Sequence, residues 1–149
     1  MKPLKQALTE ANRDKLIDDV VLLIDEEVGR KGGLSGMALK AGYKGVKGLK
    51  GGRMIHLAVG HLLVDFTDAL ETVHARYRDD GAKGSFADYL KRHEKDATSA
   101  LLHITDRKIG TAENPLVKKT YSGLRGHAED HVKEALPGVG RLVDRYTAA

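Results

Sequence analysis

The chain has no cysteine among its 149 residues, which excludes disulfides, thiolate nucleophiles, iron–sulfur clusters and cysteine-based zinc sites together. Aromatic residues are scarce, two Phe and five Tyr, so an aliphatic, helix-packed core is expected. Long apolar runs are missing as well. The most apolar window, residues 54–64, covers 11 positions and is followed by Asp65 and Asp68, whereas a membrane span needs roughly 20. It reads as a buried core segment, and no transmembrane helix is expected. The start, Met1-Lys2-Pro3-Leu4-Lys5, is charged but has no apolar stretch behind it, so no secretory signal is read and a cytoplasmic location is expected. The last absence is local: residues 28–64 contain neither Asp nor Glu.

That acid-free stretch carries Arg30, Lys31, Lys40, Lys44, Lys47, Lys50 and Arg53. The other 18 Lys and Arg stand against 21 acids, so the formal net charge of +4 comes entirely from these seven cations. An anionic partner would be drawn here first. Immediately before the stretch, residues 10–28 hold seven acids against Arg13 and Lys15, a net of −5. An acidic helix packed on a basic one would cancel much of the long-range field, although each exposed ion pair contributes only about 0–1 kcal/mol.

Hydrophobic content of 41% with 31% charged residues is a globular balance, and the length suits one ordinary domain. Residues 1–11 are polar and contain Pro3, which predicts a flexible N-terminal segment ahead of a single helical domain at 12–149. Helical spacing of Leu16, Val20, Leu23, Ile24 and Val28 predicts a helix over 12–29. A glycine-punctuated helix is expected over 34–52, with Leu39, Tyr43, Val46 and Leu49 on one side, Lys40, Lys44 and Lys47 on a second, and Ala41, Gly45 and Gly48 on a third. A third helix over 53–77 keeps steps of four and three from Ile55 to Tyr77, the pattern of a central bundle helix.

Ser85 followed by Asp88 reads as an N-cap opening a helix that runs to about residue 108. Asn114-Pro115 opens the next one, and Pro137-Gly138 is expected to break it before a short terminal helix. No period-two strand is convincing. The expected fold is therefore an all-α, single-domain helical bundle of about five to six helices.

Several patterns invite chemistry and fall short of it. Lys-Gly-X occurs three times over residues 44–52, and lysine amines with glycine N–H groups suit phosphate oxygens, but there is no Walker spacing. His127 and His131 lie one helical turn apart, the spacing of helix-borne metal sites. The intervening Ala128 and Asp130 match neither His-Glu-x-x-His nor its inverted form. Glu71-Thr72-Val73-His74 supplies one half of a di-iron Glu-x-x-His pair without the other. His61 with Asp65 and Asp68 lines one helix face where exposed carboxylates are ordinary. Gly33-Leu34-Ser35-Gly36 lacks the final glycine of a nucleophile elbow and has no strand before it.

The stretches Gly33-Leu34-Ser35-Gly36-Met37-Ala38-Leu39-Lys40-Ala41-Gly42-Tyr43-Lys44 and Glu134-Ala135-Leu136-Pro137-Gly138-Val139-Gly140-Arg141-Leu142-Val143-Asp144, with the helix spacing between them, resemble a family of small actinobacterial all-helical proteins of unknown function. The resemblance covers nearly the whole chain. It implies one domain in a bacterial cytoplasm and brings no reaction, ligand or cofactor.

Three readings follow. The first is a non-enzymatic structural or interaction module whose Gly/Ala face on the second helix packs on a protein partner or a second copy of the chain. The second is an anion-binding protein that meets nucleic acid or an acidic membrane surface with Lys40, Lys44, Lys47, Lys50 and Arg53. The third is a metal-binding protein using His127 and His131. No cofactor is expected.

Overall fold

In the computed structural model, which describes residues 3–148, no strand forms among the described residues and eight α-helices replace the five to six expected. They are α1 (Arg13–Arg30), α2 (Gly33–Lys47), the one-turn α3 (Leu49–Gly52), α4 (Met54–Asp79), α5 (Phe86–Arg92), α6 (Glu94–Ile109), α7 (Pro115–Leu124) and α8 (Ala128–Thr147), with a π-helical turn ahead of them at Lys5–Glu10. The all-α expectation holds. The helix count rises for local reasons at two places, and at a third a break is displaced.

The predicted second helix stops at Lys47, because Lys50 and Gly51 turn left-handed at φ 53° and 65° and Gly52 follows at φ 86°. Three glycines among five residues make that turn accessible. The predicted fourth helix divides at His93, whose φ of −117° and ψ of 31° are not helical. Lys91 and Arg92 end α5 while Glu94 and Asp96 begin α6, the charge order that the helix macrodipole favours at a stop and a start.

The third division corrects a boundary. Pro137 does not break its helix; α8 runs through it from Ala128 to Thr147, and the break falls earlier, at the 3₁₀ turn Arg125–His127. An interior proline costs a helix about 3 kcal/mol. Here Leu136, Gly138, Gly140, Leu142 and Val143, all buried, hold the backbone on course on both sides of it. A Cβ on Gly138 would lie 2.6 Å from Leu23 Cδ1 of α1.

The core is one cluster containing Leu16 of α1, Leu70, Val73 and Tyr77 of α4, Phe86 and Leu90 of α5, Ala97 of α6, and Leu136 and Val143 of α8. α4 is central and touches α1, α2, α3, α5, α6 and the N-terminal turn. Part of the segment expected to be flexible, residues 1–11, packs against the bundle. Met1 and Lys2 lie outside the described residues, but Leu4, Ala7 and Leu8 are buried, and Leu4 N–H donates to Glu71 Oε2 at 2.9 Å.

Two caps expected from sequence are formed. Asp88 N–H donates to Ser85 Oγ at 3.1 Å, and Leu116 N–H donates to Asn114 Oδ1 at 2.9 Å. A third is long-range: the Asp144 carboxylate of α8 accepts from Phe86 N–H at 2.8 Å and Ala87 N–H at 3.1 Å. α5 is thereby fastened to α8 at its N-terminus. Asp144→Ala is expected to lower stability by about 1–2 kcal/mol, read as a lower urea midpoint with unchanged slope; an unchanged midpoint would remove this role.

α2 and α7 form an outer pair. Gly36 is the one buried residue of α2, and α7 has none. Gly42 lets the two helices approach, since a Cβ there would stand 2.6 Å from Thr120 Cγ2.

Candidate functional site

The basic segment divides into engaged and open cations. Arg30 pairs with Glu27. Lys31 is buried at 6% exposure, bonded to Glu134 and 3.9 Å from Glu27. Lys47 Nζ lies 2.9 Å from Asp25 Oδ1. Lys40, Lys44, Lys50 and Arg53 are exposed, and among the described residues none of them has a carboxylate within 4.0 Å. The acidic α1 therefore neutralises only part of the stretch. Its Asp18 turns instead towards His56, at 3.8 Å.

These pairings leave electrostatic traces. The Tyr43 hydroxyl, then Lys47, holds the Asp25 carboxyl below its usual range. Lys31 does the same to Glu134.

On α2 the inward side carries Leu39, Tyr43 and Val46, all half-buried, while Ala41, Gly45 and Gly48 are exposed. The small-residue face is thus turned to solvent. The close approach within the fold falls on Gly42 and on Gly36, where a Cβ would come within 2.7 Å of the Lys31 backbone. Beside the exposed small residues stand two large apolar side chains that sequence reasoning passed over. Leu34 is 88% exposed and Met37 67%. Met37, Ala41 and Lys44 recur at steps of four and three, with Lys40 one turn from Met37, so apolar and cationic groups share one helix side.

The histidines are dispersed. The rings of His127 and His131 have centroids 6.5 Å apart. Among the described residues no group of three His, Asp or Glu side chains is placed to hold a metal ion. Glu71 is engaged by Arg78 and by Leu4 N–H. His74 is wholly buried, with Nδ1 2.6 Å from Arg78 Nη1. His61 is exposed. His93 occupies the α5–α6 junction, its ring centroid 4.3 Å from that of Tyr89.

His131 has a different setting. A cleft of about 340 Å³ lies between α2, α6, α7 and α8, its walls including Leu39, Val46, Leu102, Val117 and Val132, and His131 belongs to its α8 side. Both ring nitrogens of His131 are shielded from solvent and have no hydrogen-bond partner. Burial first, and then Lys31, holds its pKa below the ordinary histidine value. Three other polar side chains at the cleft are engaged. Tyr43 donates to Asp25, Tyr121 to Asp106, and Arg125 forks onto Asp106 at 2.8 and 2.9 Å.

An all-α protein with an outer helix pair, an open cationic and apolar helix side, and an apolar cleft beneath is the class these features define. The chain belongs to the family of unknown function DUF6918, whose model matches residues 4–147. No curated protein and no solved structure gives a significant match to it. No helix among the described residues is long and apolar enough to cross a membrane.

Proposed function

We propose that the protein is a non-enzymatic interaction module that docks on an acidic phospholipid surface through the outer side of α2 and the turn after it. The observation that carries this reading is the company kept by the open lysines. Leu34 and Met37, 88% and 67% exposed, stand on the same helix side as Lys40 and Lys44. Nucleic acid needs the cations but not the apolar side chains, whereas an interfacial helix uses both, its apolar groups entering the headgroup boundary. Acidic lipids concentrate on the cytoplasmic leaflet, which agrees with the cytoplasmic location expected from the sequence.

Each cation near such a surface contributes about 1 kcal/mol, so reversing two, in Lys40→Glu/Lys44→Glu, removes about 4 kcal/mol, close to a thousandfold in affinity. Cosedimentation with phosphatidylcholine vesicles, with and without phosphatidylserine, tests this. Binding is expected only with phosphatidylserine, weakening as salt rises, lost in the double reversal and reduced in Leu34→Ser/Met37→Ser. Equal retention of the charge-reversed variant would overturn the proposal. Binding to duplex DNA that Leu34→Ser/Met37→Ser leaves intact would transfer the face to nucleic acid. A concentration-dependent dimer lost in that apolar variant would assign it to a second copy.

A further inference from the structure

Between the first half of α1 and the start of α4 lies a groove of about 400 Å³, lined by Ile17 and Gly60 together with charged side chains. Arg13 and Asp14 open α1, Asp18 stands one turn beyond Asp14, and Arg53 immediately precedes α4. All four are exposed, and their charges are left unmatched. Among the described residues neither arginine has a carboxylate within 4.0 Å, and neither aspartate has a lysine or arginine within that distance. Asp18 faces only the His56 ring, at 3.8 Å. Arg13 is nevertheless positioned, because its Nη2 donates to the Gly60 carbonyl at 2.9 Å. A guanidinium has five N–H donors, so most of its donors stay free.

Opposite charges that share a groove without meeting select against a ligand of one sign. An anion drawn to Arg13 and Arg53 is repelled by Asp14 and Asp18, and a cation meets the reverse. A molecule that carries both charges satisfies both pairs. For the anionic end, two guanidinium forks, one from α1 and one from the start of α4, suit phosphate, and the rings of His56 and His61 line the same groove as further donors. For the cationic end, carboxylates only accept hydrogen bonds, and a primary ammonium supplies three donors where a quaternary one supplies none.

We propose that the groove between α1 and α4 is a binding site for a phosphate ester that carries a primary amine, its phosphate held by Arg13 and Arg53 and its ammonium by Asp14 and Asp18. The headgroup of an aminophospholipid and a free phosphorylated amino alcohol share this chemistry. The assignment does not rest on the docking of α2, since Leu34, Met37, Lys40 and Lys44 lie outside the groove.

The full-length chain at low ionic strength, titrated with O-phosphoethanolamine and separately with ethyl phosphate, tests it, with the Gly60 amide and the His61 ring followed in NMR spectra. Saturable binding that moves both signals is expected, O-phosphoethanolamine being the tighter by about fivefold or more. Asp14→Asn/Asp18→Asn is expected to level the two ligands from both sides, weakening O-phosphoethanolamine and strengthening ethyl phosphate. Arg13→Gln/Arg53→Gln is expected to weaken both by about tenfold or more, and Arg53→Gln alone, which leaves the bond from Arg13 to Gly60 in place, by about threefold or more. Cosedimentation with vesicles of phosphatidylcholine and phosphatidylethanolamine, which carry no net charge, then separates the sources. Retention lost in the aspartate variant places a lipid headgroup in the groove, and no retention leaves the free phosphorylated amino alcohol as the ligand. The proposal is overturned if O-phosphoethanolamine does not saturate, if its amine brings no advantage, if the aspartate variant preserves that advantage, or if Arg53→Gln binds both ligands like the wild type.

Discussion

Gly140→Val is expected to destabilise the protein by about 3–5 kcal/mol, enough to remove most of a typical domain's stability. A Cβ at this position would stand 2.8 Å from Ala87 Cβ and 2.9 Å from Ala87 N, and closer still to Ala87 Cα. Backbone, unlike the end of a flexible side chain, does not move aside on its own. α5 is also pinned there, since Asp144, one turn beyond Gly140, accepts from both Phe86 N–H and Ala87 N–H. Relieving the clash means giving up those bonds and lifting Phe86, fully buried in the core.

Even Gly140→Ala, which gains about 0.5–1 kcal/mol of helix propensity, is expected to be a net loss. Gly123 is the counter-case: it is exposed in α7, and an added Cβ meets nothing within 4 Å. Gly123→Ala is therefore expected to be neutral or stabilising by up to about 1 kcal/mol. Urea unfolding of the three variants checks the series. A Gly140→Ala protein as stable as the wild type would mean that α5 and α8 are not held at this separation.

What could be read from the sequence was local, and what could not was the use to which a residue is put across the fold. The all-α class, the long α4, the Ser85 and Asn114 caps and the spacing of α1 follow from periodicity and turn chemistry within a few residues. The division of α5 from α6 had a readable trace, cations at 91–92 against acids at 94 and 96. It was outweighed by an apolar stripe continuing through it. Pro137 misled because a helix-breaking preference is a local cost, while Gly138 and Gly140 dock the same helix against α1 and α5.

The candidate sites divide in the same way. Counting charges finds seven cations, but only packing distinguishes the buried Lys31 from the open Lys40 and Lys44. Glu27, four residues before Lys31, was the one sequence hint of its pairing. His131 drew notice for its spacing from His127, while the feature that sets it apart, two shielded and unpaired nitrogens in an apolar wall, comes from three other helices. The glycines of α2 were legible as a means of close approach, yet the side they serve is Gly42 towards Thr120, and the Ala41/Gly45/Gly48 side is left open beside Leu34 and Met37. Segregation of charge along the chain is therefore a matter of folding at its α1 end and of surface at its α2 end.

Acidification from pH 7 to pH 4 is expected to cost about 3 kcal/mol through His74, whose pKa falls from 6.5 to about 4, one unit being worth 1.36 kcal/mol. Burial is the first cause and the Arg78 guanidinium the second, outweighing the opposing pull of Glu71 and Asp144. The geometry agrees. An arginine cannot accept a hydrogen bond, so the 2.6 Å contact between Arg78 Nη1 and His74 Nδ1 requires Nδ1 unprotonated and places the ring proton on Nε2. Protonating Nδ1 would set a donor against a donor and a cation against a cation.

Because the folded pKa lies below the unfolded one, the unfolded chain takes up the proton first. Stability is full above about pH 6.5 and falls as pH drops towards 4. His131 acts in the same sense. The carboxyls of Asp25, Asp106 and Glu134, depressed by their hydroxyl and cationic partners, lose their contributions at lower pH, beneath most of this window. Burial raises the Glu71 carboxyl, but Arg78 and Leu4 N–H outweigh it and hold it low as well. His74→Leu keeps an apolar group among Tyr77 and Phe86, whose ring centroids lie 5.4 and 4.7 Å from that of His74. It is expected to flatten the stability profile between pH 6.5 and 4.5 without removing the steeper loss below it. Parallel unfolding curves for variant and wild type across that window, or an NMR titration of the His74 ring centred near 6.5, would show that the buried imidazole is not the group that titrates.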